Sequence, residues 1–543
     1  MQRDKSMTAA PPHTQLLIGQ LLAAPAGHNP DQTIHDGFGN HHTYRQFHTR
    51  VRKLAAGLLN LGLGQGSTIA VMDWDSPRYL ECFFAVPMLG ATLHTINIRL
   101  SPEQVLYTIN HAEDDAVLCH VDFLPLLLPL LPKVHRPLRL ILMADEPCAV
   151  PQGFDAEYEK LLADQRPDVS FPELPEDTRA TLFYTTGTTG DPKGVSYSHR
   201  QLVLHTLALA AGLGTVPGAG GLKRDDVYMP ITPLFHVHGW GFPYVATFLG
   251  IKQIYPGRYE PGRLLALIAE QGVTFSHCVP TILAMLLSAP GVAEIDLSRW
   301  KVLIGGAALS DGLALQARAR GIDVHAAYGM SETCPFVTVA DMACSQASAD
   351  IAVRTATGRP APLVEVRVVD EKMNDIPHDG RSTGEVITRA PWLTDGYLKN
   401  SAGTEELWRG GWLHTGDVGH MSANGTLRIT DRLKDIIKSG GEWVSSLTLE
   451  NLVSTVPGLQ EVAAVGIPDS RWGERPVLVT VILGEVSVEQ DLRNCLDRAI
   501  DAGIIPKWAA PDRIYQVDSL PRTSVGKIDK KLIRKLLAEG VIS

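Results

Sequence analysis

A chain of 543 residues exceeds what one hydrophobic core usually supports, so two or more domains are expected. With 45% hydrophobic and 20% charged residues the composition is ordinary for a globular protein, and a net charge of −10 speaks against nucleic acid, whose phosphates need clustered Lys and Arg. Seven scattered cysteines, none in a CxxC pair, read as reduced thiols of a cytoplasmic protein rather than as a metal site.

Met1–His13 is polar and lacks an apolar h-region, so it does not read as a signal peptide; Met7 is a second candidate start. Apolar residues at helical spacing (Phe47, Val51, Leu54, Ala55, Leu58) predict a helix over Tyr44–Leu63. Thr68–Met72 and Ala116–Cys119 read as buried strands, and Asp73–Pro77 as a polar turn. Phe123–Leu131 is too short and too proline-broken to span a bilayer, so no integral membrane association is expected. Strand and helix patterns alternate, which predicts an α/β domain built on crossovers.

In Ala180–Ser198 a strand runs into six residues drawn only from Thr and Gly, then into a second strand. Thr185, Thr186, Thr188 and Thr189 offer hydroxyls, Gly187 and Gly190 expose backbone N–H groups, and Lys193 adds a cation, which is what a phosphate cradle needs. The GK[ST] ending of a Walker A loop is absent, and taken alone the segment also reads as a mobile polar turn.

Further on, Gly214–Gly221 reads as a flexible loop. Strands are predicted at Val302–Ile304, Asp323–Tyr328, Val364–Asp370, Gly384–Arg389 and Leu427–Thr430, several ending in glycine. After Asp435 the character changes. Trp443–Val456, Val488–Ile500 and Lys531–Leu537 read as helices, and Val462–Ile467 and Val477–Leu483 as strands. The expected architecture is a large α/β domain of several subdomains, residues 1–432, and a small mobile α+β domain, residues 433–543.

These segments together resemble the adenylate-forming superfamily of acyl-CoA synthetases, luciferases and peptide-synthetase adenylation domains. The likeness runs from about Thr43 to Leu536. It rests on Tyr184–Val195, Pro233–His236, Gly305-Gly306, Tyr328–Thr333, Gly411–Asp417, Asp431–Asp435, Ser439–Glu442 and Pro521–Lys527, in the family's order. The resemblance implies two half-reactions. A carboxylate attacks the α-phosphorus of ATP and expels pyrophosphate; the acyl-adenylate is then passed to CoA and AMP leaves.

The same resemblance assigns roles. Lys527 bridges carboxylate and α-phosphate, Glu332 holds Mg²⁺, and Asp417 and Arg432 contact the ribose or phosphates. Gly306, Ala307, Ala308, Ala327, Tyr328, Gly329, Met330, Ser331 and Ile429 surround the nucleotide. Lys434 is the hinge, and Lys438, Gly440, Gly441, Glu442 and Trp443 serve the CoA half-reaction. His236, Val237, Trp240, Gly305, Gly329 and Met330 line the acyl pocket, with His236 also counted among the catalytic residues as its gate. A Trp there favours short or medium acids, and the lack of a charged residue argues against amino acids. Ile436–Trp443 and Asn97–Leu100 look most like bacterial short- to medium-chain fatty-acyl-CoA synthetases, a group that includes methylthio-propionate ligases. Two other readings stay open: loading of a carrier protein, and a non-catalytic nucleotide-binding protein. A homodimer is open as well.

Overall fold

The computed structural model of the protein describes residues 14–185, 191–216, 221–341, 351–440, 442–482, 488–524 and 526–542. Five apolar segments, Thr68–Met72, Thr92–Thr95, Ala116–His120, Arg139–Met143 and Arg179–Thr185, form the parallel core of a seven-stranded sheet. They are buried along nearly their whole length, as strands covered on both faces must be. Lys193–Ser198 closes one edge antiparallel to Arg179–Thr185, so the Thr/Gly segment lies between two paired strands.

A second sheet of nine strands carries Val227–Pro230, Phe275–Cys278, Lys301–Ile304 and Asp323–Gly329 in parallel. In both sheets the motif residues follow the carboxyl ends of strands, where parallel sheets gather ligand groups. A four-stranded antiparallel meander follows: Glu365–Val369, Gly384–Arg389, Leu413–Met421 and Leu427–Arg432.

The chain then builds a smaller unit. Strands Leu459–Asp469 and Gly473–Ile482 pair over ten positions and pack against helices Ser446–Val453, Glu489–Asp501 and Lys530–Ala538. Its two apolar clusters draw only on residues from Ile437 onward, and those of the larger unit only on residues up to Ile429.

Helix Tyr44–Asn60 forms where its apolar stripe predicts, opened by a Thr43–Gln46 capping box. Other segments differ from expectation. Pro77 ends no turn: with Ser76 as N-cap it opens the helix Pro77–Met88. Trp443 is not helical: Glu442–Val444 pairs with Ile437–Ser439 as a hairpin, and the helix starts only at Ser446. Gly214 ends the helix His199–Gly214, while residues 217–220 of the expected loop lie outside the described residues. So do Met1–His13, Leu483, Gly441 and the stretch Thr186, Gly187, Thr188, Thr189 and Gly190. Among the described residues no helix is long and apolar enough to cross a membrane.

Candidate active site

Three strand ends and one distant loop converge. Glu332 sits in a short turn, Ser331–Thr333, just beyond the strand Asp323–Gly329. Its carboxylate is buried, and Oε1 accepts a hydrogen bond from the Tyr397 hydroxyl at 2.6 Å. Lys193 lies with Nζ 4.5 Å from the centroid of that same Tyr397 ring, a cation–π contact. Tyr397 thus joins the lysine of the Thr/Gly segment to the acid of the Tyr328–Thr333 segment. Burial pushes the Glu332 carboxyl up, against the opposing pull of the Tyr397 bond, Lys193 and Arg432.

Asp417 and Arg432 lie fifteen positions apart yet meet as cross-strand partners of the meander. Arg432 Nε is 3.3 Å from Asp417 Oδ1, and the Tyr328 hydroxyl donates to Asp417 Oδ2 at 2.7 Å. Burial raises the Asp417 carboxyl; Arg432, the Tyr328 bond and Lys527 hold it down. Beside this pair, Ile429 donates its N–H to Thr357 at 3.3 Å.

Lys527 arrives from the smaller unit. Its loop is closed by Thr523 N–H to the Lys527 carbonyl at 2.7 Å and is held to the larger unit at two points. Thr281 donates to the Gly526 carbonyl at 2.9 Å, and Asn97 donates to the Ser524 hydroxyl at 3.1 Å. The Lys527 side chain lies against Gly306, where a Cβ would stand 3.1 Å from Lys527 Cε; Gly306 also has φ +76°. Glycine is therefore favoured there by conformation and by the lysine's close approach. Loss of water and the Arg432 charge lower the Lys527 ammonium to about 8, partly offset by Asp417 and Glu332.

A profile described as "AMP-binding enzyme" matches residues 22–398, and one described as "AMP-binding enzyme C-terminal domain" matches residues 448–527. The chain belongs to the AMP-binding enzyme family. This AMP-binding enzyme is 40% identical over 514 residues to a long-chain-fatty-acid–CoA ligase of Thermus thermophilus, covering 92% of this chain and 91% of that one. It is 38% identical over 495 residues to a 3-methylmercaptopropionyl-CoA ligase of Ruegeria pomeroyi, covering 89% of each. In fold it resembles the anthranilate CoA ligase AuaEII, solved with anthranoyl-AMP, at a TM-score of 0.86 and 22% identity over 98% of this chain and 99% of that one.

In this AMP-binding enzyme the acyl-pocket candidates surround an unusual turn. Val237, His238, Gly239, Trp240 and Gly241 all have positive φ, from 49° to 73°, a left-handed turn rare for residues with a Cβ. The turn presents Trp240 to Gly305, whose Cβ, if present, would lie 3.1 Å from the indole. The indole stacks on His277 at 5.1 Å and meets Phe336 edge-on at 6.3 Å. Burial, with Lys527 and Arg99 nearby, lowers His236 to about 3, so it is neutral near pH 7 and suits a gate rather than a proton donor.

Gly329 owes its identity to the strand pair: a Cβ would fall 1.5 Å from the Pro335 carbonyl oxygen. Around it, Met330 N–H donates to Thr333, the Ser331 carbonyl accepts from Tyr197, and Ala327 pairs with Val339. Ala307 and Ala308 follow Gly306 and are exposed.

The CoA-half candidates stand apart from this cluster. Lys438, Gly440, Glu442 and Trp443 lie on the exposed hairpin, whose contacts run to its own unit: Gly440 N–H to the Trp472 carbonyl at 2.7 Å, Lys438 N–H to Glu474 at 2.9 Å. Trp443 is 49% exposed. Lys434 lies in the connecting turn, where Asp435 N–H bonds the Arg432 carbonyl at 2.9 Å and Arg534 pairs with Asp435.

Tyr397 and Thr281 are functional candidates that sequence reasoning missed, and Asn97 and Ser524 lie in segments that carried the resemblance without being given a role of their own. Among the described residues no group of three or more His, Cys, Asp or Glu forms a metal cage. Glu332 alone still fits Mg²⁺, which takes one or two carboxylates and completes its shell with phosphates and water.

Proposed function

We propose that this AMP-binding enzyme is an acyl-CoA ligase that uses ATP to adenylate a short- to medium-chain carboxylic acid, releases pyrophosphate, and then forms the CoA thioester and AMP. The observation that carries this reading is the Lys527 ammonium, brought from the smaller unit to lie on Gly306 near Asp417, Arg432 and Glu332. A cation held there stabilises charge that grows on the α-phosphate oxygens as the acid attacks. Lys193, with the Thr/Gly segment, holds the departing pyrophosphate. Asp417 accepts from the ribose hydroxyls, and Arg432 orients it. Glu332 would hold Mg²⁺, which when bound would supply charge neutralisation on the phosphates.

We propose residues 1–432 and 433–543 as two domains that turn about Lys434. The turn withdraws Lys527 and brings the Lys438–Trp443 hairpin to the acyl-adenylate for thioester formation. The wall of Trp240, His277 and Phe336 supports a short acid, and 3-methylthiopropionate is the specific candidate. The six described cysteines are all free, which supports a cytoplasmic enzyme.

The test is pyrophosphate release with a panel of acids, with and without CoA. CoA-dependent AMP formation, greatest with short- to medium-chain acids, is the expected result. Adenylate that accumulates without CoA turnover would mean a carrier-protein loader, and no pyrophosphate with any acid would end the enzymatic reading.

A further inference from the structure

The loop that receives Lys527 continues through Ala307 and Ala308 into the helix Asp311–Ala319, whose first turn has backbone N–H groups with no partner inside the helix. Two of them are satisfied by the smaller unit. Asp311 N–H donates to Asn451 Oδ1 at 2.8 Å, and Gly312 N–H donates to the Ser454 hydroxyl at 3.2 Å. Asn451 Nδ2 returns a bond to Asp311 Oδ2 at 3.1 Å, and the other carboxylate oxygen accepts from Thr355 at 2.8 Å. Asn451 and Ser454 lie at the carboxyl end of the helix Ser446–Val453.

Gly312 has no local reason to be glycine. Its φ is not in the left-handed region, and glycine weakens a helix relative to alanine. The reason lies across the interface: a Cβ at Gly312 would fall 2.0 Å from the Ser454 carbonyl oxygen and 2.6 Å from its carbon, backbone atoms that cannot swing aside.

We propose that Gly312 and Asp311, with Asn451 and Ser454, form an interdomain latch specific to the adenylation arrangement, so that Gly312 and Asn451 are positioning residues for Lys527. This rests on the two-half-reaction reading above. The latch acts through Lys527, not on the substrate: it joins the helix that follows the Gly306 loop to the unit that carries the lysine. When the smaller unit turns away, the contact opens, so the thioester half-reaction does not need it.

The experiment measures pyrophosphate release and, separately, thioester formation from supplied acyl-adenylate, in the full-length enzyme. Gly312→Ala removes a helix-weakening residue but blocks the docked pose. It is expected to lower pyrophosphate release by about tenfold or more, the scale of losing the Asn451 bond to the charged Asp311 carboxylate when the clash opens the contact, while thioester formation and melting temperature hold or rise. Asn451→Asp sets two carboxylates against each other and is expected to do the same to pyrophosphate release. Adding Asp311→Asn restores a donor–acceptor pair and is expected to recover it. Equal loss of both half-reactions in Gly312→Ala, or no recovery in the Asp311→Asn/Asn451→Asp swap, would overturn the latch. Lys527→Ala run in parallel separates the two levels: if it releases pyrophosphate at the full rate, the underlying reading fails; if it alone fails to do so while Gly312→Ala is unaffected, only the latch is wrong.

Discussion

The two ends of the smaller unit are made differently. The Lys527 end is tied down: Thr523, Thr281 and Asn97 fix its loop, and the lysine lies on Gly306 among charged partners from the larger unit. The Trp443 end is loose by comparison, a hairpin of two three-residue strands with Lys438, Glu442 and Trp443 exposed and its bonds confined to its own unit. Trp443 pairs across the hairpin with Lys438 and is 49% exposed. The contrast supports the proposal that one unit presents one end at a time to a single site, and in that proposal this structure corresponds to the first arrangement.

That comparison breaks most sharply at Lys527. Lys527→Ala is expected to slow adenylation by at least about 100-fold, the scale for losing one preorganised charge-stabilising donor, and to spare thioester formation from supplied acyl-adenylate. Stopped-flow pyrophosphate detection against a thioester assay checks it. Next in size is Trp240→Ala, which opens the wall above Gly305. Acids longer by a few methylenes are expected to gain roughly tenfold or more in kcat/KM relative to propionate-sized acids, read from a chain-length series.

Lys434→Pro fixes φ in the turn and is expected to slow thioester formation roughly tenfold more than adenylation. Equal slowing would remove the hinge. The smallest effect concerns pH. The Lys527 ammonium in the free enzyme titrates at about 8, so the charged form is present below that pH and lost above it. Adenylation kcat/KM should therefore fall on the alkaline side of about 8, and thioester formation from supplied adenylate should not. Lys527→Arg, which keeps its charge, should move that limb to higher pH at a lower plateau.

The candidate site was legible through the family resemblance of whole segments rather than through single residues, since a lone Glu, a Thr-Gly-Asp turn or a Thr/Gly run reads as ordinary surface on its own. The strands at Thr68–Met72 and Gly384–Arg389 match their expected limits. The helix Pro77–Met88 escaped because nearly all of it is buried, so it has no polar face to give a period. Trp443 was misread because a three-residue strand is too short to show alternation. Tyr397, Asn97 and Asn451 carry no local signal of a role, although Asn97 lies in the Asn97–Leu100 segment that the resemblance picked out. Each looks like an ordinary polar or aromatic residue, and its importance comes from a partner 65, 427 or 140 positions away.

The most direct test crosses the two ends. Lys527→Ala and Trp443→Ala are each measured in both half-reactions on the same preparations. The account predicts opposite selectivity: Lys527→Ala loses adenylation and keeps thioester formation, while Trp443→Ala keeps adenylation and weakens CoA use several-fold, on the scale of one aromatic contact. If both variants lost the same half-reaction, or each lost both equally, one unit serving one site with two ends would be the wrong description.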